Sequence, residues 1–273
     1  MIAVFLGLFC GLIAISINAG VRSKSDTLAL VTGRDGAIGI FLLDLPTRTL
    51  HRLTPPDVLA VNPNWSPDGK RILFTTVWEN GTQRLMVVDA DGDNLRLIQQ
   101  FSDIFPLYGQ PAWVNDGEAI VFIALRNGER RFFAVNLANL ETHDVEARLI
   151  EEDDALAQAF LDHLNRTAQG QFSTPDGTRT ITVTQVGGRW ALILLNQEST
   201  APQPQVLHYL PATAVTSGVM MAISSDGQQV AFRDVAEDGN LELFVLAVDA
   251  RLDATVPPIQ VTFGGGSSPV WQP

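Results

Sequence analysis

The chain has 273 residues, 46% of them hydrophobic, with Cys10 as its one cysteine. That length and composition describe a folded protein with one large core or two small ones, and they exclude an internal disulfide or a cysteine-based metal site. Thirty Asp and Glu against eighteen Lys and Arg leave a net charge of -12, which repels phosphate backbones and anionic headgroups and argues against a nucleic-acid partner.

The first predicted element is the uncharged, mostly apolar run from Ile2 to Ala19, followed by the first charges, Arg22 and Lys24. It predicts an export segment over residues 1–24. Eighteen helical residues at about 1.5 Å each reach roughly 27 Å, so a cleaved signal peptide and a retained transmembrane helix both fit. Either one places the remaining chain in the periplasm, at the cell surface or in the medium, with the membrane as a partner through this segment. The basic pair behind the run favours the opposite orientation by the positive-inside rule, a conflict that a start site upstream of Met1 would remove. Phe9, directly before Cys10, is too bulky for a lipid-attachment site.

From Thr27 onward the chain reads as short strands. "TLALVTG" is followed by "IFLLDL" from Ile40 and "TLHRLT" from Thr49. A longer unit then begins at "VNPNWSPDGKRILF", with "RLMVVDA" from Arg84 and "NLRLIQ" from Asn94. The Asp-Gly turn recurs in "WVNDGEAIVF" from Trp113, "STPDGTRTITV" from Ser173 and "ISSDGQQVAF" from Ile223. Each turn precedes a period-two apolar run, a Gly-containing bend and a second apolar run: "FFAVNL" from Phe132, "ALILLN" from Ala191, "LFVLAVD" from Leu243. The turn aspartates Asp68, Asp116, Asp176 and Asp226 stand 48, 60 and 50 residues apart, a spacing typical of propeller blades. The second run occurs five times but the turn only four, and the chain ends on "SSPVWQP", a match to "VNPNWSP" and "GQPAWVN". The C-terminal strand is therefore expected to complete the first unit and close an all-β ring of about five four-stranded blades over residues 25–273.

These residues resemble the TolB-type, WD40-like propeller family. The signature is W-S-P-D-G, then K/R-x-I-x-F, then V-V-D-x-D-G, closest here at Trp65 to Asp93 and in register through residues 27 to 273. The resemblance implies a four-stranded blade with its Trp-bearing strand nearest the axis, an extracytoplasmic setting and a role in binding other proteins. Such proteins typically have six blades and an N-terminal α/β domain, where the present repeat count is five and no such domain precedes the repeats.

If the Trp-bearing strands line the axis, a ligand there meets Asn62, Asn64, Gln110, Gln171, Ser217, Ser267 and Ser268. These are amides and hydroxyls, without the two carboxylates of glycoside hydrolysis or the His/Asp/Glu cluster of metal-assisted hydrolysis. The turn aspartates read as structural, because Asp-Gly suits tight turns. "DADGDN", Asp89 to Asn94, lacks the glutamate of a calcium loop at its twelfth position, Gln100, and reads as a polar hairpin. His51, His143, His163 and His208 fall in different units, and no G-x-S-x-G occurs, so no metal, cofactor or serine nucleophile is expected. Trp65, Trp113 and Trp271 share one repeat position and read as packing between blades. Trp78, beside the "ENGT" bend, is a candidate binding anchor.

The longest interval holds "RLIEEDDALAQAFLDHLNRT", Arg148 to Thr167. Leu156, Phe160 and Leu164 recur every four residues behind Asp153 and Asp154, predicting a helical insert near 151–165 with one apolar stripe. The expectation is a non-catalytic, extracytoplasmic scaffold that binds a protein partner through its loops and this insert. The alternative is a hydrolase or lyase acting on glycans or other small extracellular substrates, with carboxylates supplied by loops.

Overall fold

The computed structural model describes residues 26–34, 38–78, 81–101, 107–114, 117–144, 172–174, 176–196, 204–216, 220–248 and 257–273. The proposed export segment and helical insert lie outside these residues. Among the described residues no helix is long and apolar enough to cross a membrane.

Alternating apolar residues and Gly or Asp turns fold the chain into antiparallel sheets of four strands. The first holds β1 (Thr27–Thr32), β2 (Gly39–Asp44) and β3 (Thr49–Arg52). The second runs through β4 (Leu59–Trp65), β5 (Arg71–Val77), β6 (Gln83–Asp89) and β7 (Arg96–Gln100). The third comprises β8 (Leu107–Val114), β9 (Ala119–Arg126), β10 (Glu129–Asn136) and β11 (Thr142–Asp144). The fourth comprises β12 (Phe172–Ser173), β13 (Arg179–Val186), β14 (Arg189–Asn196) and β15 (Gln205–Tyr209). A single-turn helix, α1 (Ala212–Thr216), leads to β16 (Met221–Ile223), β17 (Gln229–Val235), β18 (Leu241–Ala247) and β19 (Ile259–Gln260). The last strand, β20 (Ser267–Trp271), pairs with β1, so the order in the first sheet is β20-β1-β2-β3. The C-terminal strand thus completes the N-terminal unit, as the repeat requires.

The repeated tryptophans hold the sheets side by side. Each indole N–H donates to a backbone carbonyl of the neighbouring sheet's inner strand: Trp65 to Val270 at 3.1 Å, Trp113 to Asn64 at 3.0 Å and Trp271 to Ala222 at 3.1 Å. The inner strands β16, β20, β4 and β8 therefore adjoin in that order, and β12 adjoins β16. Apolar layers fill the spaces between sheets. Leu28, Phe41, Leu243 and Trp271 pack between the first and fifth sheets, and Ile72, Phe74, Val31 and Ile40 between the first and second. Phe101, Phe122 and Phe133 cluster between the second and third.

Asn62-Pro63, Gln110-Pro111 and Ser268-Pro269 each precede the tryptophan by two or three positions, and at each the ladder slips. A proline cannot donate to the ladder, so the inner strand bulges there. Asn62 and Ser268 take left-handed backbone angles, φ 56 and 50.

Candidate functional site

Asn64 serves the frame. The Asn64 amide donates to the Pro111 carbonyl at 3.4 Å, while its own backbone carbonyl accepts from Trp113. Asn62 and Ser268 shape the bulges. Gln110 lies on β8, and Gln171 and Ser217, like Leu156, Phe160 and Leu164, lie outside the described residues.

The turn aspartates close a repeated box. Asp68 Oδ1 accepts from the Ser66 hydroxyl at 2.6 Å and the Lys70 N–H at 3.1 Å, and Ser66 Oγ in turn accepts the Arg71 N–H. Thr174, Asp176 and Arg179 repeat the pattern, as do Ser224, Asp226 and Gln229. The Ser66 hydroxyl holds the Asp68 carboxyl below its ordinary pKa, and the Thr174 hydroxyl does the same for Asp176. Asp116 lies outside the described residues. "DADGDN" is a polar hairpin, with the Asn94 amide donating to Asp89 Oδ2 at 2.7 Å and the Asp93 N–H to Asp91 Oδ1.

Sequence reasoning misses two features of the interfaces between sheets. Arg71 reaches from the second sheet to the Gly117 carbonyl of the third at 3.0 Å and lies over the Trp113 ring. Arg179 reaches the Gly227 carbonyl of the fifth at 2.8 Å, and Gln272 the Gly69 carbonyl of the second at 2.7 Å. The signal was present as D-G-x-R at 68–71 and 176–179. The second feature is His208: its Nε2 sits 2.7 Å from Asp234 Oδ2 across the fourth and fifth sheets, with its ring against Phe232.

Asp234 and Glu242 face each other across β17 and β18, the one close carboxylate pair that strand register shows among the described residues. Both are engaged. Asp234 Oδ1 accepts the Val235 N–H, and Glu242, fully buried, accepts from Gly264 N–H, Gly265 N–H and the Thr262 hydroxyl. Among the described residues no three His, Cys, Asp or Glu side chains gather as a metal site.

Trp78 differs from the other tryptophans. It directly follows β5 with 46% of its surface exposed, its carbonyl accepting the Gly81 N–H and its N–H donating to the Thr82 carbonyl. The Arg84 guanidinium lies 4.3 Å from the ring centroid, a cation–π contact that holds the exposed indole in one orientation. The pair is a rigid aromatic and cationic platform at the tip of the β5–β6 hairpin.

No protein-family model matches the sequence. Solved structures to which it is similar include TolB proteins and an oligogalacturonate lyase. TolB from Acinetobacter baumannii is 16% identical with a TM-score of 0.40, over 89% of this chain and 55% of that one. A putative TolB from Agrobacterium tumefaciens is 11% identical with a TM-score of 0.36, over 89% and 90%. An oligogalacturonate lyase from Vibrio parahaemolyticus is 14% identical with a TM-score of 0.34, over 79% and 56%. The chain spans about half the length of the Acinetobacter and Vibrio proteins. Its own architecture rests on the five sheets and their tryptophan bonds.

Proposed function

We propose that this chain is an extracytoplasmic, non-catalytic β-propeller that binds another protein through the loop ends of its blades. The observation that carries the reading is Trp78, held exposed on a hairpin by Arg84. Trp and Arg are enriched among the side chains that dominate protein interfaces, because each offers a large contact with few degrees of freedom to lose. The inner strands, by contrast, spend Asn64 and their bulges on holding neighbouring sheets. Leu156, Phe160 and Leu164, in the insert expected from the sequence, are a separate candidate contact for the partner, and the apolar segment over residues 1–24 is proposed to deliver the domain across the membrane.

The alternative, a hydrolase or lyase on glycans, draws on the facing carboxylates Asp234 and Glu242. Against it stands their chemistry, since Glu242 is saturated by backbone and hydroxyl donors and Asp234 is held by His208 and a backbone N–H, which leaves each a poor general base. Crosslinking of the tagged full-length chain in its host, with mass spectrometry of what copurifies, separates the two. The binding reading expects a reproducible protein partner whose recovery falls at least tenfold with Trp78→Ala at unchanged melting temperature. Recovery of the chain alone from both membrane and soluble fractions would overturn it in favour of the small-substrate reading.

A further inference from the structure

A cleft of about 340 Å3 opens between the outer parts of the first and fifth sheets, with no residue of the Trp78 hairpin in its lining. Leu43, Leu45 and Leu50 line one wall, and Val245, Ile259 and Phe263 the other. Its volume falls in the range of small-molecule sites, which are mostly apolar with a few placed polar groups. Two of its apolar side chains are left to solvent: Ile259 is 45% exposed and Phe263 70%.

The exposure of Phe263 is built rather than incidental. On either side of it, the Thr262 hydroxyl and the Gly264 and Gly265 N–H groups donate to the fully buried Glu242 carboxylate. From the first sheet, the Thr32 hydroxyl donates to the Gly265 carbonyl at 2.6 Å. A buried charge with three donors fixes the backbone beneath the ring. An aromatic side chain on a pinned segment loses little conformational freedom when a ligand covers it.

The charge at the cleft runs against that of the molecule. Arg34 and Arg48 are the charged residues in its lining, in a chain with thirty acidic and eighteen basic side chains. Among the described residues neither guanidinium takes part in an ion pair. Arg34 belongs to the β1–β2 hairpin and Arg48 to the β2–β3 turn, so they stand beyond opposite ends of β2, whose six residues span roughly 20 Å. An apolar trough with a cation at either end suits an elongated apolar chain with a carboxylate head. Arginine matches that head bidentately.

We infer that this cleft binds a small amphipathic carboxylate of the fatty-acid type, its chain along Leu45, Leu50 and Phe263 and its head at Arg34 or Arg48. The test uses a photoreactive dodecanoate carrying a diazirine on its chain, added to the full-length protein, with adducts mapped by mass spectrometry. Adducts are expected on residues 43–50 and 259–263. They should fall at least tenfold in Arg34→Glu/Arg48→Glu and, independently, in Ala247→Trp, which fills the cleft from an exposed position. Unlabelled dodecanoate should compete at least tenfold better than dodecyltrimethylammonium. Thermal melts check that both variants fold, and the wild-type map stands on its own if one does not. Adducts confined to residues 1–24 or to other surfaces, labelling indifferent to both variants, or equal competition by the two head groups would overturn the inference.

Discussion

Ser66 is buried in the β4–β5 turn, where its hydroxyl donates to Asp68 and accepts from Arg71. The hydroxyl donor stabilises the ionised carboxylate, which is why Asp68 and Asp176 titrate below the ordinary value of 3.8. A folded-state pKa below the unfolded one contributes stability in full above that unfolded value and loses it as pH falls through the folded one. Urea midpoints should therefore fall on acidification below about pH 4, and the fall should be shallower in Asp68→Asn/Asp176→Asn. Equal pH slopes for the variant and the wild type would show that the boxes add nothing to acid stability. Gly69 sits at φ 68, and a Cβ there would lie 3.2 Å from the Gln272 side chain. Gly69→Ala should cost about 1–2 kcal/mol, from left-handed strain plus the displaced contact; a melting temperature within a degree of wild type would contradict this. These positions were legible in the sequence because Asp-Gly names a turn whatever surrounds it.

At the scale of the element, the strands were legible for a similar reason: alternation and a recurring turn are local properties. What joins one sheet to the next was half legible. The tryptophans repeat and so declared themselves, but Arg71, Arg179 and Gln272 bond backbone carbonyls of Gly117, Gly227 and Gly69. An acceptor common to every residue leaves no mark in the sequence. His208 and Asp234 were hidden differently, as partners 26 positions apart on strands of different sheets. The cleft was invisible too, being assembled from the first and last units. Arg71 allows a test of the arginine bridges, since it carries both the Gly117 bond and the stacking on Trp113. Arg71→Ala should cost about 1–2 kcal/mol in urea unfolding. Arg71→Lys should recover less than half of it, because an ammonium lacks the planar fork that bonds and stacks at once. Full rescue by lysine would reduce the bridge to simple charge.

At the scale of the molecule, β20 is the segment on which neighbouring interfaces converge. It supplies the fourth strand beside β1, packs Trp271 among Leu28, Leu30 and Leu243, and bonds Ala222 in the fifth sheet. Its Val270 carbonyl receives the Trp65 indole of the second sheet, and Gln272 behind it holds Gly69. Removing residues 267–273 would therefore bare the edge of β1 and unfasten the first sheet from both neighbours at once. The loss should far exceed that of one side chain. Trp271→Ala alone should cost about 3–5 kcal/mol, as for other large buried aromatics, whereas the deletion should abolish the cooperative thermal transition. A synthetic peptide of residues 267–273 added in trans separates lost closure from general misfolding. If the strand acts by pairing, the peptide should restore a transition whose midpoint rises with its concentration. A deletion variant that melts like the wild type would mean that the sheets hold one another without β20.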